Sequence, residues 1–251
     1  MGGALAKAVS RAGAEVWLFD KDVKKAELLA EKIGAGVGTL EKIAECDFVF
    51  LGVKPNIIPH AAKELSSALR DNTPCVISMA AGVCIAKIEG ALEKDLPVIR
   101  IMPNTPAAYG EGMILYTASE KVARETENAF LEIMNKSGRL DAIPERLIDA
   151  ASAISGCGPA FAYMFIEALA DGGVAAGLPR EKALQYASQM LLGAAKAQLV
   201  SGQHPGQMKD AVCSPGGSTI EGVMALENGG FRGTVSDAVL AAYEKTVKLG
   251  K

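Results

Sequence analysis

The chain has 251 residues, of which 49% are hydrophobic and 22% are charged, and its formal net charge is −3. This composition is that of an ordinary globular chain with one large core or two smaller ones. The slightly acidic charge, without a basic cluster among aromatic residues, makes nucleic acids and anionic membranes poor partners. The five cysteines are scattered without a CxxC pair, which predicts reduced thiols rather than a disulfide framework or a metal site.

Up to about Asp141, short β-branched runs alternate with helical segments. The opening residues, MGGALAKAVSRAGAEVWLFD, predict a helix of small residues, a glycine turn and a strand. The apolar runs are nearly continuous, as in parallel strands that are covered on both faces. This alternation predicts a Rossmann-like, doubly wound parallel sheet. The predicted strands cover residues 15–19, 47–53, 74–80, 97–102, 112–117 and 138–142.

After Pro144 the strand signals vanish and helical segments follow one another. One long helix is predicted to begin at Pro179 and to end at Ser201-Gly202. The sequence thus predicts a dinucleotide-binding domain over residues 1–143 and an all-helical domain over residues 144–251. A helical domain of about a hundred residues buries little surface by itself. Homodimerisation through this domain is therefore expected.

One segment of the helical domain, residues 159–178, has the length and polarity of a membrane span. Glu167 and Asp171 interrupt it, and a Gly-Gly pair would weaken a helix exposed to lipid. A helix that is apolar nearly all round is more simply buried in protein. Basic residues interrupt the apolar ones at the N-terminus, so no signal peptide is predicted. We therefore expect a cytoplasmic protein that does not use a membrane.

The first glycines fit the end of a dinucleotide-binding fingerprint, G-x-G-x-x-G. Gly2 or Gly3 can be its last glycine, which lets the helix pack closely on a strand. Asp20 then stands where an acidic residue binds the adenosine ribose hydroxyls, in the strand context that the motif requires. The alternative is that Asp20 only caps the helix beginning at Asp22. The glycines of residues 34–38 follow a helix, so we interpret them as a helix cap and a loop.

Three motifs stand where a predicted strand ends, which is the position at which open α/β sheets bind ligands. Ala80, Ala81 and Gly82 are small enough for the backbone to approach a flat cofactor. The Asn104 amide follows a rigid Met-Pro turn and can form hydrogen bonds. The three motifs are FLGVKPN (residues 50–56), ISMAAGV (77–83) and RIMPNTP (100–106).

The sharpest motif is SPGGST, residues 214–219. It predicts an exposed turn followed by a helix that begins at Ser218 or Thr219. Consecutive amides at a helix N-terminus bind carboxylate or phosphate, and a small acid seated there would have a hydroxyl within reach. The alternative is an ordinary helix cap, which would be favoured if the motif stood alone.

Taken in order, these motifs resemble the pyrroline-5-carboxylate reductase family. The resemblance rests on VKP, ISMAAGV, MPNTP, SGCGPAF, EALADGGVAAGLPR, HPGQMKD and SPGGSTIEGV with LENGGFR. It covers essentially the whole chain and is most specific from Ser155 to Arg232. It implies a Rossmann domain, a helical domain that interlocks two subunits, and reduction of 1-pyrroline-5-carboxylate to L-proline with NADPH or NADH. A homodimer, or a higher assembly of dimers, is expected.

Members of this family normally begin with a short strand that runs into G-A-G-N-M-G. This chain begins at the Met of that motif, so that Met1 and Gly2 match its last two positions. We expect either an initiation site upstream of Met1 or a chain that lacks this strand. Without a central strand, buried ladder groups of its neighbours would be unpaired, at about 1–3 kcal/mol each.

The resemblance also implies site residues. Asp20 favours NADH because its charge repels a 2′-phosphate, whereas Lys21 could favour NADPH, and the choice stays open. Asn104 is expected near the nicotinamide. The implied cofactor-binding residues are Gly2, Asp20, Lys21, Val53, Lys54, Pro55, Ala80, Ala81, Gly82 and Asn104. No metal is expected.

The implied substrate-binding residues are Ser214, Gly216, Gly217, Ser218 and Thr219. We expect the amides of Gly217, Ser218 and Thr219 to hold the substrate carboxylate. The Thr219 hydroxyl would bind the ring nitrogen and is the expected catalytic group. Two alternatives are a 3-hydroxyacid dehydrogenase, which would need a lysine that residues 155–170 lack, and a non-catalytic scaffold. The incomplete fingerprint favours the scaffold, and the intact SPGGST motif argues against it.

Overall fold

The structure, a computed structural model, describes residues 1–249 and divides into two compact units. The first, which we call the α/β unit, comprises Met1–Pro159 together with the end of the chain from Ala241. The second, the helical unit, covers Ala160–Leu240. The predicted boundary at residue 143 stays a prediction, although the helix that follows it lies in the α/β unit.

Seven strands and twelve helices make up the described residues. The strands are β1 Trp17–Leu18, β2 Gly36–Val37, β3 Phe48–Leu51, β4 Cys75–Ser78, β5 Val98–Met102, β6 Gly112–Ala118 and β7 Gly138–Ala142. The first seven helices are α1 Gly2–Arg11, α2 Val23–Ile33, α3 Leu40–Ala44, α4 Ile58–Ala68, α5 Ile85–Leu92, α6 Arg124–Met134 and α7 Glu145–Ser155. The others are α8 Gly158–Ala175, α9 Arg180–Ser201, α10 Pro205–Ala211, α11 Ser218–Asn228 and α12 Phe231–Leu249. Two 3-10 turns cover Pro55–Ile57 and Thr105–Tyr109.

The strands form two sheets, one of β1 and β2 and one in the order β3-β4-β5-β6-β7. All six predicted strands are present, and the helix end at Gly34 is confirmed by its φ of +68°. The prediction that residues 34–38 form only a cap and a loop is wrong, because Gly36–Val37 pairs with Trp17–Leu18. A Cβ on Gly36 would lie 2.5 Å from the Trp17 ring. Position 36 must therefore be glycine for β2 to lie against the Trp17 ring. Because glycine is not typical of strands, the sequence pattern did not indicate this strand.

The five-stranded sheet departs from the prediction in one respect, because β6 pairs with β5 in the antiparallel direction. All the other strand pairs are parallel. The connection from β5 to β6, residues 103–111, contains only a 3-10 turn. A parallel crossover needs about a dozen residues or more, so this short connection returns the chain in the opposite direction.

Helices cover both faces of the five-stranded sheet. On one face, Leu5 and Val9 of α1 and Phe130 of α6 pack with the strands. On the other face, residues of α4 and α5 such as Leu65 and Ile88 fill a second buried cluster. The inner strands β4 and β5 are thus buried on both faces, which explains their nearly continuous apolar sequences. The doubly wound α/β fold is confirmed.

The helical unit buries far less of its apolar surface. Its buried hydrophobic residues are Ala170, Ala183 and Ala187, of which only Ala170 is completely buried. Residues Glu145–Ala175 are long and apolar enough, by length and composition, to cross a membrane, and only 11% of the most apolar part is buried. Within the chain by itself this segment is largely uncovered, so its burial in protein stays a prediction that requires a partner chain. The predicted long helix is confirmed, with Pro179 as its N-cap and Gly202 in the left-handed conformation at its end.

Candidate active site

The start of α1 lies against the loop that follows β3. A Cβ on Gly52 would lie 3.4 Å from Gly2 Cα, and a Cβ on Gly2 would lie 3.7 Å from Gly52 Cα. The N-cap residue, Met1, makes no side-chain capping hydrogen bond, so the first amides of α1 are available to a ligand. Glycine at both positions leaves no side chain between these two stretches of backbone.

Two of the predicted cofactor loops leave neighbouring strands at the same edge. Val53, Lys54 and Pro55 follow β3, and loop 80–82 follows β4, with β3 and β4 paired in parallel. Lys54 is exposed, whereas Val53 packs against the core. The parallel pairing brings these two loops together at the carboxyl edge, as predicted for a dinucleotide site.

The shape of loop 80–82 fits a planar group. Ala80 is buried, and its amide donates a hydrogen bond to the Ser78 hydroxyl over 3.4 Å. Gly82 has a φ of +73°, which a residue with a side chain rarely adopts. No bulky side chain stands in this loop, so its backbone is accessible to a nicotinamide cofactor.

Asp20 and Lys21 follow β1. Asp22, not Asp20, is the N-cap of α2, because its side chain accepts from the Lys25 amide. Asp20 instead accepts from the Asp22 amide at 3.0 Å and from Lys25 Nζ at 3.2 Å. The hydrogen bond from the Asp22 amide, and then Lys25, hold the pKa of Asp20 below its usual value. The Lys21 ammonium lies 3.5 Å from His60 Nε2, so it is Lys25 that balances the Asp20 charge.

The side chain of Asn104 is used inside the α/β unit. Its Nδ2 donates to the Ser155 carbonyl at 2.9 Å, and its Oδ1 accepts from the Met113 amide at 3.0 Å. Asn104 is only 7% exposed. One N–H of its amide remains for a ligand, since Nδ2 carries two hydrogens. No local sequence pattern indicates that this asparagine joins β6 to the end of α7.

The SPGGST motif forms a closed turn in the helical unit. The Gly217 amide donates to the Ser214 carbonyl at 3.0 Å, and Gly216 has a φ of +67°. With Pro215 before it, Gly216 occupies the position of a type II turn that requires a positive φ. A Cβ on Gly217 would collide with Ser214 Oγ. Both glycines are thus required by the turn.

The turn leaves the start of α11 uncapped. Gly217 is the N-cap residue and no side chain caps the helix. Within residues 1–249, the amides of Ser218, Thr219 and Ile220 make no backbone hydrogen bond. Because the Gly217 amide is used by the turn, it is not available for the carboxylate role predicted for it. Ile220, whose side chain carries no signal, supplies the third free amide. Ser218 and Thr219 are exposed.

Among the residues that the structure describes, no group of three or more His, Cys, Asp or Glu side chains could hold a metal ion. All five cysteines are free thiols.

The predicted cofactor residues lie in the α/β unit and the predicted substrate residues lie in the helical unit.

Comparison with known families finds two matches. Residues 145–249 match the family described as pyrroline-5-carboxylate reductase dimerisation. Residues 1–82 match the family described as NADP oxidoreductase, coenzyme F420-dependent. The second match covers the region of α1, Asp20 and the loop after β3.

Individual relatives match over almost the whole chain. The chain is 38% identical to pyrroline-5-carboxylate reductase of Escherichia coli over 253 aligned residues, which covers 100% of this chain and 93% of the relative. The structure of pyrroline carboxylate reductase from Plasmodium falciparum with NADP bound matches with a TM-score of 0.86 at 32% identity, covering 100% and 95% of the two chains. The enzyme from Streptococcus pyogenes matches with a TM-score of 0.88 at 32% identity, covering 99% and 95%.

Proposed function

The chain belongs to the pyrroline-5-carboxylate reductase family, and on that premise we propose that it reduces 1-pyrroline-5-carboxylate to L-proline with NADPH or NADH. The observation that carries the substrate assignment is the uncapped start of α11. Three free amides follow a turn built from Pro215 and two required glycines. An ordinary helix cap would have consumed one or more of these amides.

We assign the substrate carboxylate to the amides of Ser218, Thr219 and Ile220. The N-terminus of an eleven-residue helix carries a partial positive charge, which favours an anion. The type II turn holds the preceding backbone away from the helix axis and keeps the amides accessible. Ser214 lies in the same turn and borders the anion position.

We assign the contact with the ring nitrogen of the substrate to Thr219. Its exposed side chain stands beside the proposed carboxylate position, from which a hydroxyl reaches the ring nitrogen of a five-membered cyclic imino acid. A hydrogen bond to this nitrogen orients the ring and stabilises the charge on its protonated form. The carbon of the C=N bond is then electrophilic, so a separate histidine acid is not required. Positioning supplies most of the rate.

The cofactor-binding residues are proposed along the carboxyl edge of β3 and β4, with Asp20 and Lys21 at the adenosine end. When bound, the reduced nicotinamide supplies the hydride that adds to the imine carbon. Gly2 and loop 80–82 provide backbone rather than bulky side chains at this edge, and residues 53–55 add the exposed side chain of Lys54. The remaining N–H of Asn104 is directed to the nicotinamide end.

We further propose that the protein is a soluble, cytoplasmic homodimer and that it works without a membrane. The match to a dimerisation family covers α7 to α12, where most apolar side chains are not buried within the chain. A second copy would cover them, including the apolar part of Glu145–Ala175. Association of such dimers into a larger assembly is compatible with this arrangement.

The test is the rate of NADH oxidation with 1-pyrroline-5-carboxylate, measured for the wild type, Thr219→Ala and Ser218→Ala. Hydrogen bonds to charged groups are worth about 1.5–3 kcal/mol, so Thr219→Ala should lower kcat/KM by roughly 10- to 150-fold. Ser218→Ala keeps the same backbone amides and should retain most of the activity. NADH binding should not change in either variant. Equal activity of Thr219→Ala and the wild type would remove Thr219 from the mechanism.

The same experiment separates the alternatives. A scaffold that has lost catalysis would bind NADH weakly and show no turnover. A 3-hydroxyacid dehydrogenase would oxidise hydroxy acids with NAD⁺ and would not consume the cyclic imine.

A further inference from the structure

A buried ion cluster lies behind the cofactor edge of the α/β unit. Arg100 of β5 is 3% exposed, and its guanidinium pairs with two carboxylates of α7. The distances are 3.3 Å from Nη1 to Glu145 Oε1 and 2.6 Å from Nη2 to Asp149 Oδ1. A buried cation of this kind fixes the two side chains that neutralise it.

Glu145 makes a second contact that Asp149 does not make. The same oxygen, Glu145 Oε1, accepts a hydrogen bond of 2.7 Å from the amide of Ile85, the first residue of α5. Cys84, the N-cap of α5, offers no side-chain cap. A carboxylate from α7, sixty positions along the chain, therefore caps α5 and meets the positive end of its dipole.

This cap stands directly after loop 80–84, the loop that carries the proposed cofactor residues. The loop is also held on its other side, because Ala81 packs against a buried cluster that includes Met102 and Ile148. Ile148 belongs to α7, as Glu145 does. The loop thus packs against a cluster to which α7 contributes Ile148, and a carboxylate of α7 caps the helix that follows the loop.

We propose that Glu145 is a positioning residue for the nicotinamide cofactor: it fixes loop 80–84 by holding the Ile85 amide, and Arg100 holds Glu145 in place. This inference rests on the proposed cofactor site. The loop is proposed to contact the cofactor through its backbone. A change of side-chain rotamer cannot compensate for a shift of that backbone, so the position of the loop determines the affinity for the cofactor. Asp149 shares the ion pair but does not touch the loop, and so serves as the matched control.

The experiment measures the Kd for NADH by the fluorescence of the bound cofactor, together with the melting temperature and the KM and kcat of each variant. Glu145→Ala and Asp149→Ala each remove one carboxylate from Arg100, and both should lower the melting temperature. Only Glu145→Ala should raise the Kd and KM for NADH, on the order of tenfold, with kcat changed little. Glu145→Gln keeps an acceptor for the amide and should bind NADH within about threefold of the wild type.

A further variant tests the contact without disturbing the ion cluster. Ile85→Pro removes the amide hydrogen, and proline is well tolerated at the first position of a helix. Cys84 has φ −77° and ψ 162°, an extended conformation that suits a residue before proline. Ile85→Pro should therefore raise the Kd for NADH about as much as Glu145→Ala does. If Glu145→Ala does not fold, Ile85→Pro and Glu145→Gln decide the matter.

Equal losses of NADH affinity in Glu145→Ala and Asp149→Ala would overturn the inference, as would unchanged affinity in Ile85→Pro. A wild-type protein that binds neither NADH nor NADPH would overturn it together with the proposed function. A wild type that binds NADH but does not reduce the imine would overturn only the proposed function, because the comparison of Kd values would still stand.

Discussion

The two units of this chain bury their apolar residues to very different extents. In the α/β unit, Phe130 and Met134 of a single eleven-residue helix are completely buried. In the helical unit, the 22-residue helix α9 buries only Ala183 and Ala187. The first unit therefore has a core of its own, whereas the second presents leucines and aromatic residues to its surroundings. This difference indicates that the helical unit completes its core with a second copy.

The largest effect is expected from a charge on the exposed apolar surface of α9. Leu192 is 56% exposed in the single chain. Leu192→Glu should raise the dimer Kd by at least about a thousandfold, because an unpaired buried charge costs roughly 3–5 kcal/mol and a symmetric dimer buries two. The measurement is the molar mass in solution by light scattering across a dilution series.

Leu28→Glu is the matched control for this prediction. Leu28 of α2 is 59% exposed, much like Leu192, but lies in the α/β unit. Leu28→Glu should therefore leave the dimer intact. If both variants remain dimeric, α9 does not lie in the interface and the contrast between the two units needs another explanation.

The next effect concerns the core of the α/β unit. Phe130→Ala should lower the free energy of unfolding by about 3–5 kcal/mol, because the side chain is fully buried and packs against Tyr116. Phe231 of the helical unit packs beside Phe165 but is 40% exposed. In a Leu192→Glu monomer, Phe231→Ala should cost no more than about 1 kcal/mol. Urea unfolding would measure the change in the free energy of unfolding for both substitutions. Equal losses of stability in Phe130→Ala and Phe231→Ala would show that the helical unit has its own core.

A smaller effect should separate substrate binding from cofactor binding. Gly216→Ala places a side chain at a φ of +67°, which costs about 1–2 kcal/mol. The turn should distort, and the KM for the cyclic imine should rise on the order of tenfold while NADH affinity is unchanged. Gly222→Ala, in open space inside α11, is the control and should retain wild-type kinetics. A loss of NADH affinity in Gly216→Ala would contradict the assignment of the turn to substrate.

The smallest effect concerns the choice of cofactor. Lys25→Ala leaves the Asp20 carboxylate without its ion-pair partner, so the KM for NADPH should rise by roughly two- to fivefold while that for NADH is unchanged. Because the pKa of Asp20 lies below its usual value, the carboxylate stays charged between pH 6 and pH 8, and its own contribution to this discrimination should be constant over that range. It should weaken only as the pH falls far enough to protonate Asp20.

Steady-state kinetics with both cofactors would check this prediction. Lys24→Ala removes the neighbouring charge and serves as the control. A KM for NADPH that is lower in Lys25→Ala than in the wild type would mean that Lys25 does not offset the negative charge of Asp20.

Most of the α/β fold could be predicted because its information is local. Apolar runs marked β1 and the strands from β3 to β6, and Asp22 and Gly34 marked the two ends of α2. The β2 strand escaped prediction because glycine carries no strand signal, and Gly36 is required there by its contact with Trp17 of the paired strand. The direction of β6 was missed as well, since apolar runs do not distinguish parallel from antiparallel pairing.

The candidate site shows the same division. The SPGG turn and the helix start at Ser218 could be predicted, because proline and glycine restrict the backbone wherever they stand. Which amides remain free could not be predicted, since it depends on Gly217 bonding to Ser214 in three dimensions. The contacts of Asn104 and Glu145 escaped for the same reason, as their partners lie far away along the chain.

The sequence by itself determined the order of helices and strands, the glycine turns and the family to which the chain belongs. These follow from backbone preferences and hydrophobic period, which act within a few residues. Only the tertiary structure decided that Arg100 is buried between Glu145 and Asp149, that Lys25 rather than Lys21 balances Asp20, and that α9 lies uncovered. Burial and charge pairing depend on which distant segments meet, and no local pattern encodes that meeting.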